Sequence, residues 1–246
     1  MLGLVKAPLR RLRDALRKAG IEVHRRTIHN STEVQLDRLL REAGIDLVLD
    51  VGANAGQYAA GLRLLGYRGR IVSFEPLSTA HAQLSRVARR GEGWEVAPRM
   101  ALGDADGTVN IHLAGNSVSS SILDMLPAHE RAAPGSAYVA AETVPVRRLD
   151  GVAGEYIAGA RRVLLKIDTQ GYEDRVLTGA AGVLDRIMAI QTELSLVPLY
   201  AGQVLFDEMR RRIEAQGFEL HAVFPGYVDE RTGQTLQLDG FFRRRG

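Results

Sequence analysis

The stretch VLDVGANAGQY (48–58) decides the fold of this chain. VLDV predicts the end of a short buried strand, and the residues from Gly56 onward predict a helix. Between strand and helix, Gly52 and Gly56 allow a tight turn and a close approach of the backbone to a ligand. Ligands of open α/β sheets bind at the carboxyl ends of the strands, so the sequence predicts a cofactor site at this loop.

The residues of the loop help to discriminate between cofactors. A dinucleotide-binding loop has the pattern G-x-G-x-x-G, but here Asn54 and Gln57 stand at the second and third glycine positions. Asp50, two residues before Gly52, suits the cationic amino acid part of S-adenosylmethionine better than a pyrophosphate. Glu75 ends the next predicted strand and can accept hydrogen bonds from both hydroxyls of a ribose. NAD-dependent enzymes use an acidic residue in the same way, so Glu75 alone does not discriminate.

Strands and helices alternate along most of the chain, which indicates an α/β fold with a mostly parallel sheet covered on both faces. The last two predicted strands are joined by a short connection, which favours an antiparallel hairpin at the sheet edge. Residues 107–148 break the alternation with a strand pair around a Ser-rich segment, and we expect this insertion to cap the substrate site. The predicted strands are DLVLDVG (46–52), RIVSFEP (70–76), one within WEVAPRMALG (94–103), RVLLKID (162–168), IMAIQTEL (187–194), FELHAVFP (218–225) and LQLDGFFRR (236–244).

Composition and charge limit the function classes. The 246 residues are 46% hydrophobic, which is enough for a sizeable core, and the absence of cysteine excludes disulfides, thiolate metal sites and cysteine nucleophiles. The net charge of +3 is uneven, because residues 1–26 carry +6 and the rest of the chain is acidic. This distribution argues against a broad nucleic-acid-binding face. We expect a basic helical extension at residues 1–45 and one domain at residues 46–246.

The basic segment predicts a helix over residues 7–19, with Leu9, Leu12 and Leu16 at helical spacing among arginines. In one interpretation this helix packs on the domain; in the other it contacts an anionic membrane surface. No apolar run is long enough to span a bilayer, and no signal peptide is evident. We therefore expect a cytoplasmic protein, peripheral to the inner membrane face under the second interpretation.

Three charged residues follow in LLKIDTQGYE (164–173), at the end of another predicted buried strand. Strand alternation places Lys166 and Asp168 on one face, with Asp168 at the carboxyl edge and Lys166 deeper. A buried lysine needs a partner, which Glu193 on the next strand or Glu173 at a helix start can supply. Lys166, Glu173 and Glu193 therefore form a structural cluster in one interpretation, whereas in the other Asp168 and Glu193 take part in catalysis.

Four motifs in this order resemble the FkbM-type S-adenosylmethionine-dependent methyltransferases: VLDVGANAGQY, IVSFEP, LLKIDTQGYE and QLDGFFRR. The resemblance implies a Rossmann-like class I methyltransferase fold with a mostly parallel seven-stranded sheet and an antiparallel C-terminal strand. It also implies methylation of a hydroxyl oxygen. Carried over by position, the resemblance implies that Asp50, Gly52, Asn54 and Gly56 hold the methionine end of the cofactor, with Gln57 in the same loop. It further implies that Glu75 binds the ribose and that Ala101 and Leu102 contact the adenine. Ser119, in the polar loop, is also implied to lie near the cofactor.

Methyl transfer to a hydroxyl needs a group that takes the hydroxyl proton. Asp168 is the first candidate, and Glu193 and the strand residue His221 are the others. His112 and His129, in the insertion, could also reach a substrate. Alternatively, Asp168 and Glu193 hold Mg²⁺, which would lower the pKa of the acceptor hydroxyl.

The sequence therefore predicts an S-adenosylmethionine-dependent O-methyltransferase that acts on a hydroxyl of a sugar or of a glycosylated lipid or natural product. One alternative is an NAD-dependent Rossmann oxidoreductase, against which Asn54 and Gln57 argue. Another is a non-catalytic protein that binds S-adenosylmethionine. A nucleic-acid methyltransferase is disfavoured, because the NPPY-type motif of amino-methylating enzymes is absent and the body of the chain is acidic.

Overall fold

The computed structural model describes the backbone of residues 6–246 and the side chains of residues 12–246, so the side chain of Leu9 lies outside the described part. The chain forms two compact units that divide after Leu36. The helices are α1 (Lys6–Lys18), α2 (Thr32–Glu42), α3 (Gln57–Leu64), α4 (Ser78–Ala88), α5 (Pro127–Ala132), α6 (Leu149–Ile157), α7 (Glu173–Gly179) and α8 (Phe206–Ala215), with a 3₁₀ helix at Ala181–Arg186. None of the described helices is both long and apolar enough to cross a membrane.

The N-terminal unit exposes apolar side chains beside basic ones. Leu12 on α1 is 57% exposed, and Ile21 and Val23, which follow that helix, are 51% and 60% exposed. Arg17 and Lys18 lie in the last turn of α1, where the helix dipole favours cations. This unit therefore has a surface that is both apolar and positively charged.

The second unit is built on a seven-stranded sheet in the order β3-β2-β1-β7-β8-β12-β9. A separate three-stranded sheet has the order β4-β6-β5, and β10 pairs with β11. The strands are β1 (Leu47–Val51), β2 (Arg70–Phe74), β3 (Trp94–Val96), β4 (Ala101–Gly103), β5 (Gly107–Ala114), β6 (Tyr138–Arg148), β7 (Val163–Ile167), β8 (Ile187–Ser195), β9 (Phe218–Pro225), β10 (Val228–Asp229), β11 (Gln234–Thr235) and β12 (Gln237–Arg244).

The large sheet confirms the predicted fold class. Strands β3, β2, β1, β7 and β8 pair in parallel, whereas β12 is antiparallel to both of its neighbours, β8 and β9. The predicted hairpin of the last two strands forms, but only β9 lies at the edge. β12 inserts between β8 and β9, and this brings its first residues beside the carboxyl end of β8.

The segment 94–103 contains two strands rather than one. β3 joins the large sheet, but β4 pairs in parallel with β6 and so belongs to the second sheet. β5 and β6 pair antiparallel, as the pattern of the insertion predicts. Helix α5 lies between these two strands in the chain.

The central strands β1 and β7 are buried along their whole length, because both faces of the sheet are covered. Each of these strands nevertheless contains one charged residue. Asp50 of β1 and Lys166 of β7 are register partners, so the two charges meet inside the core. This pair lies directly under the carboxyl edge of the sheet.

Candidate active site

A cavity of about 610 Å³ lies at the carboxyl ends of β1, β2, β7 and β8, and it also contacts the start of β12. From β1 the chain continues to β2 and β3 on one side of the sheet, and it later returns to β7 and β8 on the other side. The strand order thus reverses between β1 and β7, which is the usual ligand position in this type of sheet. Part of the remaining wall comes from the insertion, through residues 116–122 and His129.

The glycine loop after β1 has the backbone geometry that its sequence predicts. Gly52 has a φ of 77°, and a Cβ atom there would lie 1.8 Å from the carbonyl oxygen of Asp168. Asn54, at a φ of 47°, donates its backbone N–H to Glu75. Gly52, Asn54 and Gln57 all line the cavity.

Gly56 does not line the cavity, so its predicted contact with the cofactor is not part of the wall and stays a prediction. Its φ is 93°, and it is buried at the start of α3. A Cβ atom at this position would lie 3.0 Å from the side chains of Leu84 and Trp94. Gly56 therefore allows the loop to pack closely against Leu84 and Trp94, on the side away from the cavity.

Asp50 also lies outside the cavity wall, and its predicted contact with the cofactor stays a prediction. Its side chain is fully buried. One carboxylate oxygen accepts a hydrogen bond from Ser73 Oγ at 3.2 Å, and the other lies 3.1 Å from Lys166 Nζ. Asp50 thus compensates a buried cation beneath the site.

The partners of Lys166 are Asp50 and Asp168, not Glu173 or Glu193 as the sequence suggested. Lys166 Nζ lies 3.4 Å from Asp168 Oδ2 and donates to the carbonyl oxygen of Gly52 at 3.1 Å. Burial alone would lower the pKa of Lys166, but Asp50 and Asp168 raise it above its usual value. The lysine therefore remains protonated and links the glycine loop to the end of β7.

Glu75 faces the cavity while its carboxylate is held by the backbone. Its two oxygens accept N–H groups from Asn54 and Leu77, each at 2.8 Å, and the residue is 4% exposed. Burial raises the pKa of Glu75 to about 7. Each carboxylate oxygen of Glu75 can still accept a further hydrogen bond. The geometry therefore permits binding of ribose hydroxyls, which stays a prediction.

The remaining predicted cofactor residues all line the cavity. Ala101 and Leu102 contribute an apolar wall from β4. Ser119 Oγ accepts a hydrogen bond from Asn116 Nδ2 at 3.0 Å and lies 3.1 Å from His129 Nε2. The roles of these residues toward adenine and the cofactor stay predictions.

Gln170 connects the two carboxylates predicted to act in catalysis. Its amide nitrogen donates to Asp168 Oδ1 at 2.9 Å and to Glu193 Oε2 at 3.0 Å, and its amide oxygen accepts from Tyr200 at 2.9 Å. Gln170 is a non-glycine residue with a φ of 53°, a conformation that a functional site often stabilises. The sequence offered no signal for this bridge.

The same bridge bears on the Mg²⁺ alternative. The amide nitrogen of Gln170 lies between the two carboxylates, where a shared cation would need to bind. Among the described residues, no three His, Asp or Glu side chains are arranged to hold a metal. Burial and the charges of Asp168, Glu173 and Asp239 raise the pKa of Glu193 well above its usual value.

Glu173 holds the loop that follows β7. One of its oxygens accepts the N–H groups of Thr169 at 2.9 Å and of Gly171 at 3.1 Å, and also the hydroxyl of Thr169 at 3.3 Å. Burial raises the pKa of Glu173 to about 7. Its role is to fix the turn between Asp168 and α7.

The structure places His221, a predicted catalytic residue, away from the cavity. His221 is exposed on the edge strand β9 and does not line the cavity. His112 is also outside the cavity wall and pairs with Asp124 at 3.4 Å. Of the candidate histidines only His129 lines the cavity, and burial lowers its pKa.

Sequence reasoning missed Asp239 and Gln237, which line the cavity from β12. The motif QLDGFFRR contains both residues, but a strand position alone does not reveal which strand will be its neighbour. The insertion of β12 next to β8 makes Asp239 the register partner of Glu193. The pairing of β12 with β8, and with it the position of Asp239 in the cavity wall, could not be predicted from the sequence.

The comparisons with known proteins identify the family. Residues 50–220, more than half of the chain, match the Methyltransferase FkbM domain. The chain belongs to the FkbM methyltransferase family. It is therefore a class I S-adenosylmethionine-dependent methyltransferase, and the alternative of an NAD-dependent oxidoreductase is wrong. A search of curated proteins finds no match.

Solved structures similar to this FkbM methyltransferase include an rRNA methylase from Streptococcus thermophilus, with 12% identity over 91% of this chain and 99% of that chain. A TehB-like SAM-dependent methyltransferase from Corynebacterium glutamicum has 13% identity over 98% of this chain and 97% of that chain. The TM-scores are 0.47 and 0.40. At these values the substrates of those proteins carry no argument for this chain.

The cavity of this FkbM methyltransferase fits S-adenosylmethionine. Its volume is within the usual range for small-molecule sites. Glu75 and Asp168 place carboxylate oxygens in the wall, which suit the ribose hydroxyls and the cationic part of this cofactor. Leu77, Ala101 and Leu102 supply apolar surface for a planar base.

Proposed function

We propose that this FkbM methyltransferase transfers the methyl group to a hydroxyl oxygen of a neutral, polyhydroxylated acceptor such as a sugar or a glycosylated lipid. The observation that carries the proposal is the joined set of carboxylates and amides at the ends of β7, β8 and β12. Gln170 bridges Asp168 and Glu193, and the amide of Gln237 lies 3.4 Å from the same glutamate oxygen. Such groups donate to and accept from hydroxyls in fixed directions.

The chemistry of a hydroxyl acceptor agrees with these side chains. When bound, S-adenosylmethionine supplies an activated methyl group on a sulfonium that is an excellent leaving group. The protein must hold the acceptor oxygen in line at about 3 Å and take the hydroxyl proton. Asp168, at the carboxyl edge of β7 and next to the glycine loop, lies where it can orient such a hydroxyl.

The charge of the cavity supports a neutral acceptor over a nucleic acid. No arginine lines the cavity in the described part of the chain, and the side chain of Lys166 is only 8% exposed between its two carboxylate partners. Recognition of nucleic acids relies on free basic side chains that contact phosphates. A phosphate-bearing acceptor would therefore meet repulsion from Asp168 and its neighbours.

Methyl transfer to different classes of acceptor tests this function. The protein is incubated with S-adenosylmethionine labelled with tritium in the methyl group, together with methyl glycosides, a bacterial glycolipid extract, small amines or total RNA. We expect label in the glycoside or glycolipid fraction, in a form stable to mild base, and none in RNA. Label confined to amines or RNA contradicts the proposal, and stoichiometric cofactor binding without any transfer would favour a non-catalytic binding protein.

We also propose that the N-terminal unit contacts an anionic membrane surface, which would place the enzyme at the cytoplasmic face near a lipid-linked acceptor. The support is the exposure of Leu12, Ile21 and Val23 beside Arg17 and Lys18. The triple variant Leu12→Gln, Ile21→Gln and Val23→Gln should lose sedimentation with vesicles that contain phosphatidylglycerol. Equal sedimentation of the variant and the unmodified protein contradicts this contact.

A further inference from the structure

Most carboxylates of the cavity wall are already engaged by protein groups. Glu75 accepts two backbone N–H groups, Asp168 contacts Lys166 and Gln170, and Glu193 accepts from Gln170. Asp239 is different, because its side chain has no hydrogen bond or ion pair with any group in the described part of the chain. It is half-buried on β12 and lines the cavity. Both of its oxygens can therefore accept from a ligand.

The position of Asp239 follows from strand pairing. Asp239 and Glu193 are register partners on the antiparallel strands β12 and β8, so their side chains leave the sheet on the same face, with Cβ atoms about 5 Å apart. Gln237, two residues earlier on β12, also lines the cavity. The open carboxylate thus lies beside the bridge that Gln170 forms between Asp168 and Glu193.

We propose that Asp239 is a catalytic residue that binds the acceptor hydroxyl directly and takes its proton during methyl transfer. This inference rests on the proposed hydroxyl acceptor. The hydroxyl oxygen forms the new bond to the methyl carbon as the carbon–sulfur bond breaks and its electron pair stays on sulfur. The hydroxyl proton passes to an oxygen of Asp239, so charge and atoms balance. Asp168 then acts as a positioning residue, because Lys166 and Gln170 already hold it.

The surroundings of Asp239 suit a base that works near neutral pH. Burial and the charge of Asp168 raise the pKa of Asp239 to about 6, while Lys166 opposes the shift. The other titratable groups near it are Glu193 on β8 and Tyr58 on α3, and burial raises the pKa of both. The raised pKa of Glu193 favours its neutral form beside the carboxylate of Asp239.

The first test needs no methyl transfer. In protein labelled with ¹³C at the aspartate carboxyl carbons, the Asp239 resonance is assigned with the variant Asp239→Asn. We expect it to titrate at about pH 6 in the free protein and to shift when methyl β-D-glucopyranoside is added to the complex with S-adenosylhomocysteine. The exposed Asp207, assigned with Asp207→Asn, is the matched control and should not shift with the glycoside. Titration of Asp239 at the ordinary aspartate value, or no response to the glycoside, overturns the inference.

The second test uses any hydroxyl acceptor that is turned over. Asp239→Asn should lower kcat by about 100-fold or more and remove the rise of kcat between pH 5 and 7. Asp239→Glu should recover part of the rate, and the affinity for S-adenosylhomocysteine should stay within about twofold of the unmodified protein. Retention of kcat within about threefold in Asp239→Asn rejects Asp239 as the base even when hydroxyl methylation is found. Conversely, if the methyl group goes to nitrogen, the proposed function fails, while the carboxyl titration still decides whether Asp239 binds hydroxyls.

Discussion

At the residue scale, the predicted role of Glu75 is to accept hydrogen bonds from the ribose hydroxyls of the cofactor through its carboxylate. The change Glu75→Gln keeps the size of the side chain but replaces one accepting oxygen with a donor that faces a backbone N–H group. Loss of charge-assisted hydrogen bonds of about 1.5–3 kcal/mol should weaken binding of S-adenosylhomocysteine by about 10- to 100-fold. Isothermal titration calorimetry measures this effect, with the exposed Glu155→Gln as a control of unchanged affinity. Equal affinity in Glu75→Gln contradicts a ribose contact.

Glu173 makes the stability of the fold depend on pH. Its pKa is about 7 in the folded protein, above its usual value, so between about pH 4.5 and 7 the folded state holds a proton that the unfolded state has lost. The contribution of Glu173 to the free energy of unfolding therefore falls as the pH rises through this window. A glutamine can keep the three hydrogen bonds, since all of them reach one oxygen.

We expect the difference in free energy of unfolding between Glu173→Gln and the unmodified protein to shift by about 1–3 kcal/mol in favour of the variant when the pH rises from 5 to 8. Chemical denaturation at both pH values measures this difference. The variant Glu219→Gln, at an exposed carboxylate of β9, should show no such change. A constant difference between Glu173→Gln and the unmodified protein at the two pH values would show that Glu173 ionises normally.

At the scale of elements, the loop after β1 packs so closely on the end of β7 that there is no room for a side chain at position 52. The change Gly52→Ala places a Cβ atom against the carbonyl of Asp168 and requires a left-handed backbone from an alanine. We expect a loss of more than about 3 kcal/mol in the free energy of unfolding. The matched change Gly61→Ala, in the middle of α3 with nothing within 4 Å, should stabilise by about 0.5–1 kcal/mol. A small effect of Gly52→Ala in thermal and chemical unfolding would reject this packing.

Strands β1 and β7 are also joined by the buried pair of Asp50 and Lys166. Lys166→Met leaves a fully buried carboxylate without its cation, and we expect a cost of about 3–5 kcal/mol. The double variant with Asp50→Asn should be more stable than the sum of the two single effects, because it removes both charges. Additive effects in a double-mutant cycle would mean that the two groups do not interact.

At the scale of the whole molecule, the alternation of strands and helices followed from the sequence because apolar runs alternate with helical periodicity and glycine turns, but the division of segment 94–103 into β3 and β4 did not. The glycine loop and Glu75 followed as well, since both lie at strand ends next to the switch point. The partners of Lys166 did not follow, because register between β1 and β7, rather than distance along the chain, brings Asp50 opposite it. Asp239 was missed for the same reason.

Gly56 and His221 lie outside the cavity wall, because a motif or a strand position does not tell which way a residue faces. Gly56 turns the chain behind the loop, and His221 lies on the solvent side of the edge strand. Side-chain bridges such as that of Gln170 depend on a left-handed backbone position that its residue type does not announce. Tertiary packing therefore determined the parts of the site that the sequence could not give.

We propose that this FkbM methyltransferase transfers the methyl group to a hydroxyl oxygen, with carboxylates of β7, β8 and β12 around it. The most direct test locates the transferred methyl carbon. After turnover with S-adenosylmethionine labelled with ¹³C in the methyl group, we expect an NMR correlation from the labelled methyl carbon through an ether oxygen to a sugar or polyol C–H. A labelled methyl group bonded to nitrogen, to a carboxylate or to a nucleic-acid base would contradict the claim.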